Sequence, residues 1–345
     1  MKVFIDNEKI AVNGGVDLGL FNDRLSLSFD CFSSNTSNLL VVKQLPVIAG
    51  LGSYWTNGGT MQNTGYELSV NWKALNFKNF TWELGASVGH YANKITSLPV
   101  NDYTTQVFDG EVLTAVGQPM GTFYGYKTLG VFATQADADL AGLKKLNIDG
   151  TYSQFNAGDI NFDDKTPDGI IDEKDKQIIG NSNPDLYGTI TSKLSYKRIS
   201  LSTVFTYSYG NDVYNYFRSQ LESGKDFNNQ TRVMINRWTA AGQVTDIPKA
   251  IYGDPMGNSR FSNRWIEDGS YLRLKTMTLS YDVPIKSNFI EGFNVWVSAN
   301  NLLTLSKYLG LDPEFSVRNS VYYQGVDAGL VPLTKSYYIG VKFNL

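Results

Sequence analysis

The segment Ser336-Tyr337-Tyr338-Ile339-Gly340-Val341-Lys342-Phe343-Asn344-Leu345 splits cleanly at period two. Tyr337, Ile339, Val341, Phe343 and Leu345 fall on one side, while Tyr338, Gly340, Lys342 and Asn344 fall on the other. Successive side chains of a strand point to opposite faces of a sheet, so this is a strand with one apolar and one polar face.

Working back from that end, the same split recurs. In 80–88, Phe80, Trp82, Leu84, Ala86 and Val88 oppose Thr81, Glu83, Gly85 and Ser87. In 199–208, Ile199, Leu201, Thr203, Phe205 and Tyr207 oppose serines and a threonine, with Val204 the exception. In 277–283, Met277, Leu279, Tyr281 and Val283 oppose Thr278, Ser280 and Asp282. Residues 16–21, 25–32, 66–72, 186–196 and 293–300 complete a set of about nine strands.

The links between these strands alternate in length. Residues 22–24, 73–79, 197–198 and 284–292 are short links; 33–65, 90–185, 209–270 and 301–335 are long ones. A soluble sandwich has no reason to put every long loop at one end. An outer-membrane barrel does, with short periplasmic turns, long extracellular loops and strands that are apolar outside and polar inside. The fold class expected is therefore all-β, an antiparallel transmembrane barrel segment. Tyr66, Trp72, Phe80, Trp82, Tyr196, Tyr281, Tyr337 and Phe343 near strand ends suit interfacial girdles, although the cross-strand aromatics of a sandwich would look alike.

Composition narrows the function. The 345 residues carry 30 Lys and Arg against 33 Asp and Glu, a formal charge of −3, so no basic field exists for a nucleic-acid partner. One cysteine, Cys31, forbids an internal disulfide and a Cys-based zinc site, and one histidine, His90, removes most Ser-His, Cys-His and His-metal arrangements. No run approaches the ~18 apolar residues of a membrane helix, and Met1-Lys2-Val3-Phe4-Ile5-Asp6 is not a signal peptide. Those features alone describe a soluble cytoplasmic protein, a reading that the strand periodicity overrides.

Several blocks carry a family resemblance: Gly15-Val16-Asp17-Leu18-Gly19-Leu20-Phe21-Asn22-Asp23-Arg24-Leu25-Ser26, Asn63-Thr64-Gly65-Tyr66-Glu67-Leu68, Gly117-Gln118-Pro119-Met120-Gly121 and Pro184-Asp185-Leu186-Tyr187-Gly188. The most specific are Arg264-Trp265-Ile266-Glu267-Asp268-Gly269-Ser270-Tyr271-Leu272-Arg273-Leu274-Lys275, Asn300-Asn301-Leu302-Leu303-Thr304 and Lys307-Tyr308-Leu309-Gly310-Leu311-Asp312-Pro313-Glu314. In this order they resemble the SusC/RagA family of TonB-dependent outer-membrane transporters of Bacteroidetes-type bacteria. The resemblance covers residues 14–345 and leaves 1–13 as an uncertain N-terminal segment.

The resemblance implies the C-terminal part of a larger barrel in the Gram-negative outer membrane, a fragment that does not transport alone. An odd strand number leaves the first and last strands as open edges. It further implies a plug and a TonB-contacting region in the rest of the protein, a SusD-like surface lipoprotein as partner, contact with outer-membrane lipid, and an oligosaccharide or peptide substrate.

The sharpest local motif is Asp164-Lys165-Thr166-Pro167-Asp168-Gly169-Ile170-Ile171-Asp172-Glu173-Lys174-Asp175. Its oxygen-bearing residues Asp164, Thr166, Asp168, Asp172 and Asp175, with the Ile170 carbonyl and a Gly turn at Gly169, have the spacing of a calcium loop. The family motif commonly reads D-x-N-x-D-G-x-I-x-x-x-D, from which Thr166 and Pro167 depart. Structural Ca2+ in the long loop 90–185 is the expectation, with a plain Asp-Gly turn as its alternative.

Two acidic pairs, Glu267 with Asp268 and Asp312 with Glu314, invite comparison with glycosidase carboxylates but sit at a strand entry and at a Pro-containing turn, where a structural role is expected. His90 is read as a rim residue and Cys31 as a small apolar side chain. Loop aromatics such as Phe108, Phe155, Tyr214, Tyr252, Phe261 and Tyr322 suit either ligand stacking or packing within the loops. The competing functions are a soluble calcium-stabilised glycan-binding β module and, behind it, an all-β glycoside hydrolase.

Overall fold

A computed structural model describes residues 7–44, 50, 53–285, 292–315, 317 and 320–344. Leu345 and much of the 284–292 link lie outside the described residues. One sheet of nine strands dominates: β1 Glu8–Leu20, β2 Leu25–Ser37, β3 Thr60–Phe77, β4 Phe80–Ser97, β5 Leu186–Tyr196, β6 Ile199–Tyr209, β7 Tyr271–Val283, β8 Gly292–Ser306 and β9 Ser336–Asn344. Each pairs antiparallel with its chain neighbour, and among the described residues the free edges of β1 and β9 pair with nothing. β1 begins at Glu8, so residues 8–13 of the 1–13 stretch set apart from the sequence belong to the wall.

Register shows why the faces differ. Directly opposed residues share a face, and one row runs Leu18, Leu27, Val70, Ala86, Ile190, Phe205, Leu274, Leu303 across eight strands. The adjacent row, on the other face, runs Asp17, Ser28, Ser69, Ser87, Thr189, Thr206, Arg273, Thr304. Among the described residues nothing covers the apolar face: Ile339 is 79% exposed, and Val341, Leu279, Val297 and Tyr281 are exposed with it. From Phe80 to His90, at about 3.4 Å per residue and about 40° of tilt, the apolar run of β4 spans roughly 26 Å, the height of a barrel's lipid-facing band.

Bulges shift the alternation. In β3 the register slips between Lys73 and Leu75, so the outward set changes from Val70 and Trp72 to Leu75 and Phe77. Residues 73–77, read from sequence as part of a link, are strand, and only Lys78 and Asn79 turn the chain. In β7 a slip at Lys275 likewise separates Leu272 and Leu274 from Met277 and Leu279.

The buried cores lie in the long loops. Segments 98–185, 210–270, 307–315 and 320–335, which leave the wall at the same end, form a cap. One cluster joins Tyr126, Phe132, Leu143, Phe155, Ile160, Phe162 and Ile171. A second joins Val107, Val112, Phe123, Tyr214, Phe261, Trp265 and Val326. Within the cap, Gln177–Asn181, Thr122–Gly125, Gly110–Thr114 and Tyr103–Val107 make a four-stranded sheet, and Asp212–Asn215 pairs with Ile266–Asp268 and, in parallel, with Val326–Asp327. Two short helices, α1 Gln135–Ala141 and α2 Tyr216–Glu222, complete it. Helix α1 starts on a Thr134/Asp137 capping box and stops at Gly142, whose φ of 63° suits the absence of a Cβ.

Candidate functional site

The polar face of the wall carries open grooves between small side chains. A groove of ≈ 460 Å³ is lined by Ser26, Asn71, Gly85 and Thr191 with Asp23, Arg24, Lys73, Glu83 and Lys193 around it. A second, of ≈ 250 Å³, lies among Ser28, Asp30, Glu67, Ser69, Ser87 and Tyr187. Hydroxyls on this face satisfy one another across strands: Ser87 Oγ and Thr189 Oγ1 at 2.8 Å, Ser200 Oγ and Ser280 Oγ at 2.6 Å, Thr278 Oγ1 and Ser298 Oγ at 2.9 Å. Asp30 faces Glu67 directly across β2 and β3.

The cap is bolted to this face by amides. Asn183 Oδ1 accepts from Tyr91 Oη (3.2 Å) and Asn93 Nδ2 (3.1 Å) on β4, while Asn183 Nδ2 donates to the Met120 carbonyl (2.7 Å). Met120 N donates back to Asn93 Oδ1 at 2.7 Å. A second attachment joins Arg273, only 2% exposed, to Asp312 and Glu314. Neither Asn183 nor Arg273 stands out from sequence, although an Arg amid the Thr and Ser of a polar strand face was the available signal.

Charges inside the cap are paired by geometry. Arg218 contacts Glu222 (2.9 Å) and Glu267 (2.5 Å), and although burial opposes its charge these carboxylates hold its pKa above the usual value. Arg264, stacked on Trp265 at 4.4 Å, is pushed down to about 10 by burial and then by neighbouring Arg218. Asp212 lies above the ordinary carboxylate range, chiefly through burial, although Asn181 N donates to it at 2.8 Å.

In the 164–175 loop most carboxylate oxygens are engaged by the loop itself. Gly169 N donates to Asp164 Oδ2 (2.8 Å), Ile170 N to Asp168 Oδ1 (2.9 Å) and Lys174 N to Asp172 Oδ1 (2.8 Å). The buried Asp175 accepts from Thr166 Oγ1 at 2.8 Å and from Asp172 N at 2.8 Å. Asp164 Oδ1 is buried with no donor. Among the described residues no three acidic, His or Cys side chains converge on one point.

Of the loop aromatics, Phe155, Tyr214 and Phe261 are core residues, and Phe108 stacks on Tyr216 at 4.5 Å. Tyr252 is 71% exposed and stacks on Phe227, itself 91% exposed, at 4.9 Å. His90 sits at the rim, its ring 5.3 Å from Tyr66 and its Nδ1 2.6 Å from the Asp185 carbonyl. Cys31 is exposed on the outward face, opposite Gly14 and Tyr66.

No family model matches the sequence. Among curated proteins, TonB-dependent receptor P3 of Formosa agariphila is 31% identical over 345 residues, covering 96% of this chain and 33% of the relative. TonB-dependent receptor SusC of Bacteroides thetaiotaomicron is 26% identical over 343 residues, covering 96% and 31%. Among solved structures, the RagAB peptide transporter superposes with a TM-score of 0.76 at 26% identity, over 98% of this chain and 35% of that one. Over nearly its whole length the chain resembles SusC/RagA-type TonB-dependent receptors.

It spans about a third of the length of the curated receptors it matches. As the barrel portion of a SusC/RagA-type receptor, the sheet has the expected apolar exterior and polar interior. The acidic pairs weighed as glycosidase groups are engaged structurally: Glu267 accepts from Arg218, Asn215 and Leu309 N, Asp268 from Ser270 N, and Asp312 and Glu314 from the β7 cations.

Proposed function

We propose that this chain forms part of the wall and the extracellular cap of an outer-membrane importer. The single observation carrying this reading is the uncovered apolar face, continuous across the sheet and backed by a polar face that the cap overhangs. Lipid is the natural partner for that exterior, and a hydrated passage for that interior. The substrate class is oligosaccharide or peptide, and the working assembly includes a SusD-like surface lipoprotein over the cap and a TonB system acting through the rest of the receptor. Likeness to SusC and to the RagAB peptide transporter supports these assignments. Deleting the gene and restoring it on a plasmid, with labelled oligosaccharides and peptides offered separately, tests them. Loss and recovery of uptake of one class is expected; undiminished uptake of both classes defeats the reading.

We also propose that the 164–175 loop takes up Ca2+ through Asp164, Thr166, Asp168, Asp172, Asp175 and the Ile170 carbonyl. The support is the undonated, buried Asp164 Oδ1 beside a Gly169 turn with φ 76°. The ion would stiffen the cap by crosslinking the loop. Calorimetric titration of the metal-stripped receptor with CaCl2 should show binding that Asp164→Asn abolishes; no heat in the unmodified receptor removes the proposal.

A further inference from the structure

The last long loop leaves β8 at Ser306 and turns back over the inner wall. There two sequence blocks meet. Arg273 reaches Asp312 through Nη2 and faces Glu314 Oε2 with Nε at 3.2 Å, and Lys275 Nζ lies 3.1 Å from Glu314 Oε1. Two residues apart along β7, Arg273 and Lys275 point to the same face, and Lys275 stands at the bulge, outside the ladder pairing. Asp312 is the hub: Oδ1 also accepts Glu314 N (2.9 Å), and Oδ2 accepts Leu333 N at 3.0 Å, tying the outgoing and returning arms of the loop.

The attachment is ionic rather than apolar. Leu309 and Leu311, which flank Asp312, are 71% and 67% exposed, and Val331 is exposed on the returning arm. The two ends of the loop are held in another way: Val326 is fully buried in the cap core and pairs with Tyr214, while at the root Tyr308 is itself buried, its Oη donates to Asp327 at 2.6 Å, and Leu309 N donates to Glu267 at 2.8 Å. Arg273 itself lies between Thr206 and Thr304 in the polar row of the wall. Once the 310–315 segment lifts, this guanidinium faces the hydrated interior, so opening strands no charge in an apolar site.

We propose that Arg273 and Lys275 latch segment 310–315 to the inner wall, and that this segment releases as a unit while the cap core, with Tyr308 and Leu309 attached to it, stays folded. Given the importer reading on which its use depends, release would widen the passage beside β7 and β8 under the cap.

Hydrogen exchange read by mass spectrometry on the full-length receptor tests the latch without any transport assay. In the Asp312→Asn, Glu314→Gln double variant, peptides covering 310–315 and 331–335 should exchange about tenfold faster, with 212–215 and 326–327 unchanged. Lys275→Gln, which keeps the buried Arg273–Asp312 pair, should give a smaller acceleration in the same peptides, and serves if the double variant fails to reach the membrane. Unchanged exchange at 310–315, or equal loss of protection at 212–215, overturns the proposal. Because exchange is indifferent to cargo, a failed uptake experiment with a positive exchange result would remove the importer reading and leave the latch.

Discussion

Tyr187 lies flat over Gly89 on the inner face of the wall: a Cβ at position 89 would come 2.7 Å from the ring's Cζ. The two residues oppose each other across β5 and β4, so the ring fills the space that the missing side chain leaves. Gly89→Val should therefore destabilise the sheet by about 1–3 kcal/mol despite valine's higher strand propensity. Combining it with Tyr187→Ala should recover part of that loss. Denaturation of the detergent-solubilised receptor as a double-mutant cycle measures the coupling, and strictly additive effects would count against the packing account.

The wall's two faces predict opposite responses to charge. Ile190→Lys, in the apolar row, should cost about 2–4 kcal/mol and lower the amount of heat-modifiable receptor in the outer membrane. Thr189→Lys, one residue away in the polar row, should leave that amount unchanged. Comparing the two by electrophoresis of unheated and heated membranes checks the assignment of faces.

Phe155 is fully buried in the first cap cluster, in edge contact with Phe162 at 5.8 Å. Phe155→Ala should cost the cap about 3–5 kcal/mol. Since that cluster contains no wall residue, proteases should cut the 98–185 loop far faster while the barrel keeps its heat-modifiability. Joint loss of both would show that cap and wall are a single cooperative unit.

Asp212 gives the cap a pH dependence of known sign. Its folded pKa is raised, so the folded state holds the proton more tightly than the unfolded chain does. Stability should increase as pH falls through the raised pKa and level off below the ordinary carboxylate range. Asp212→Asn retains an acceptor for Asn181 N and removes the repulsion from Asp268 and Asp185. It should therefore stabilise the cap near neutral pH and flatten the rise in thermal stability as pH falls from neutral into the ordinary carboxylate range.

All nine wall strands were legible in the sequence because lipid and water impose different residues on alternate positions. Where that contrast ends, so does the signal. β2 continues through Ser33–Ser37 and β4 through residues 91–97, above the apolar band, where both faces are wet and the alternation lapses. The phase slips at Ala74 and Lys275 hid the ends of β3 and β7 in the same manner. The cap was less legible. Its pairings, such as Tyr214 with Val326, join residues far apart in sequence and carry no local period. Sequence could not decide which loop aromatics were core, since Phe155 and Tyr252 look alike until a neighbour covers one of them. The calcium-like spacing was visible, whereas the engagement of Asp175 by Thr166 was not.

The cap clusters draw on three stretches of chain that emerge between β4 and β5, β6 and β7, and β8 and β9. None of these loops holds the whole second core alone: Val107 and Phe123 come from the first, Tyr214 and Trp265 from the second, Val326 from the third. Zipping up the hairpins brings the loop bases side by side and absorbs the entropy of closing each loop before any cap contact forms. The second core is therefore a late event in maturation, reachable only after the last hairpin has closed, and its completion reports that every strand beneath it has found its place.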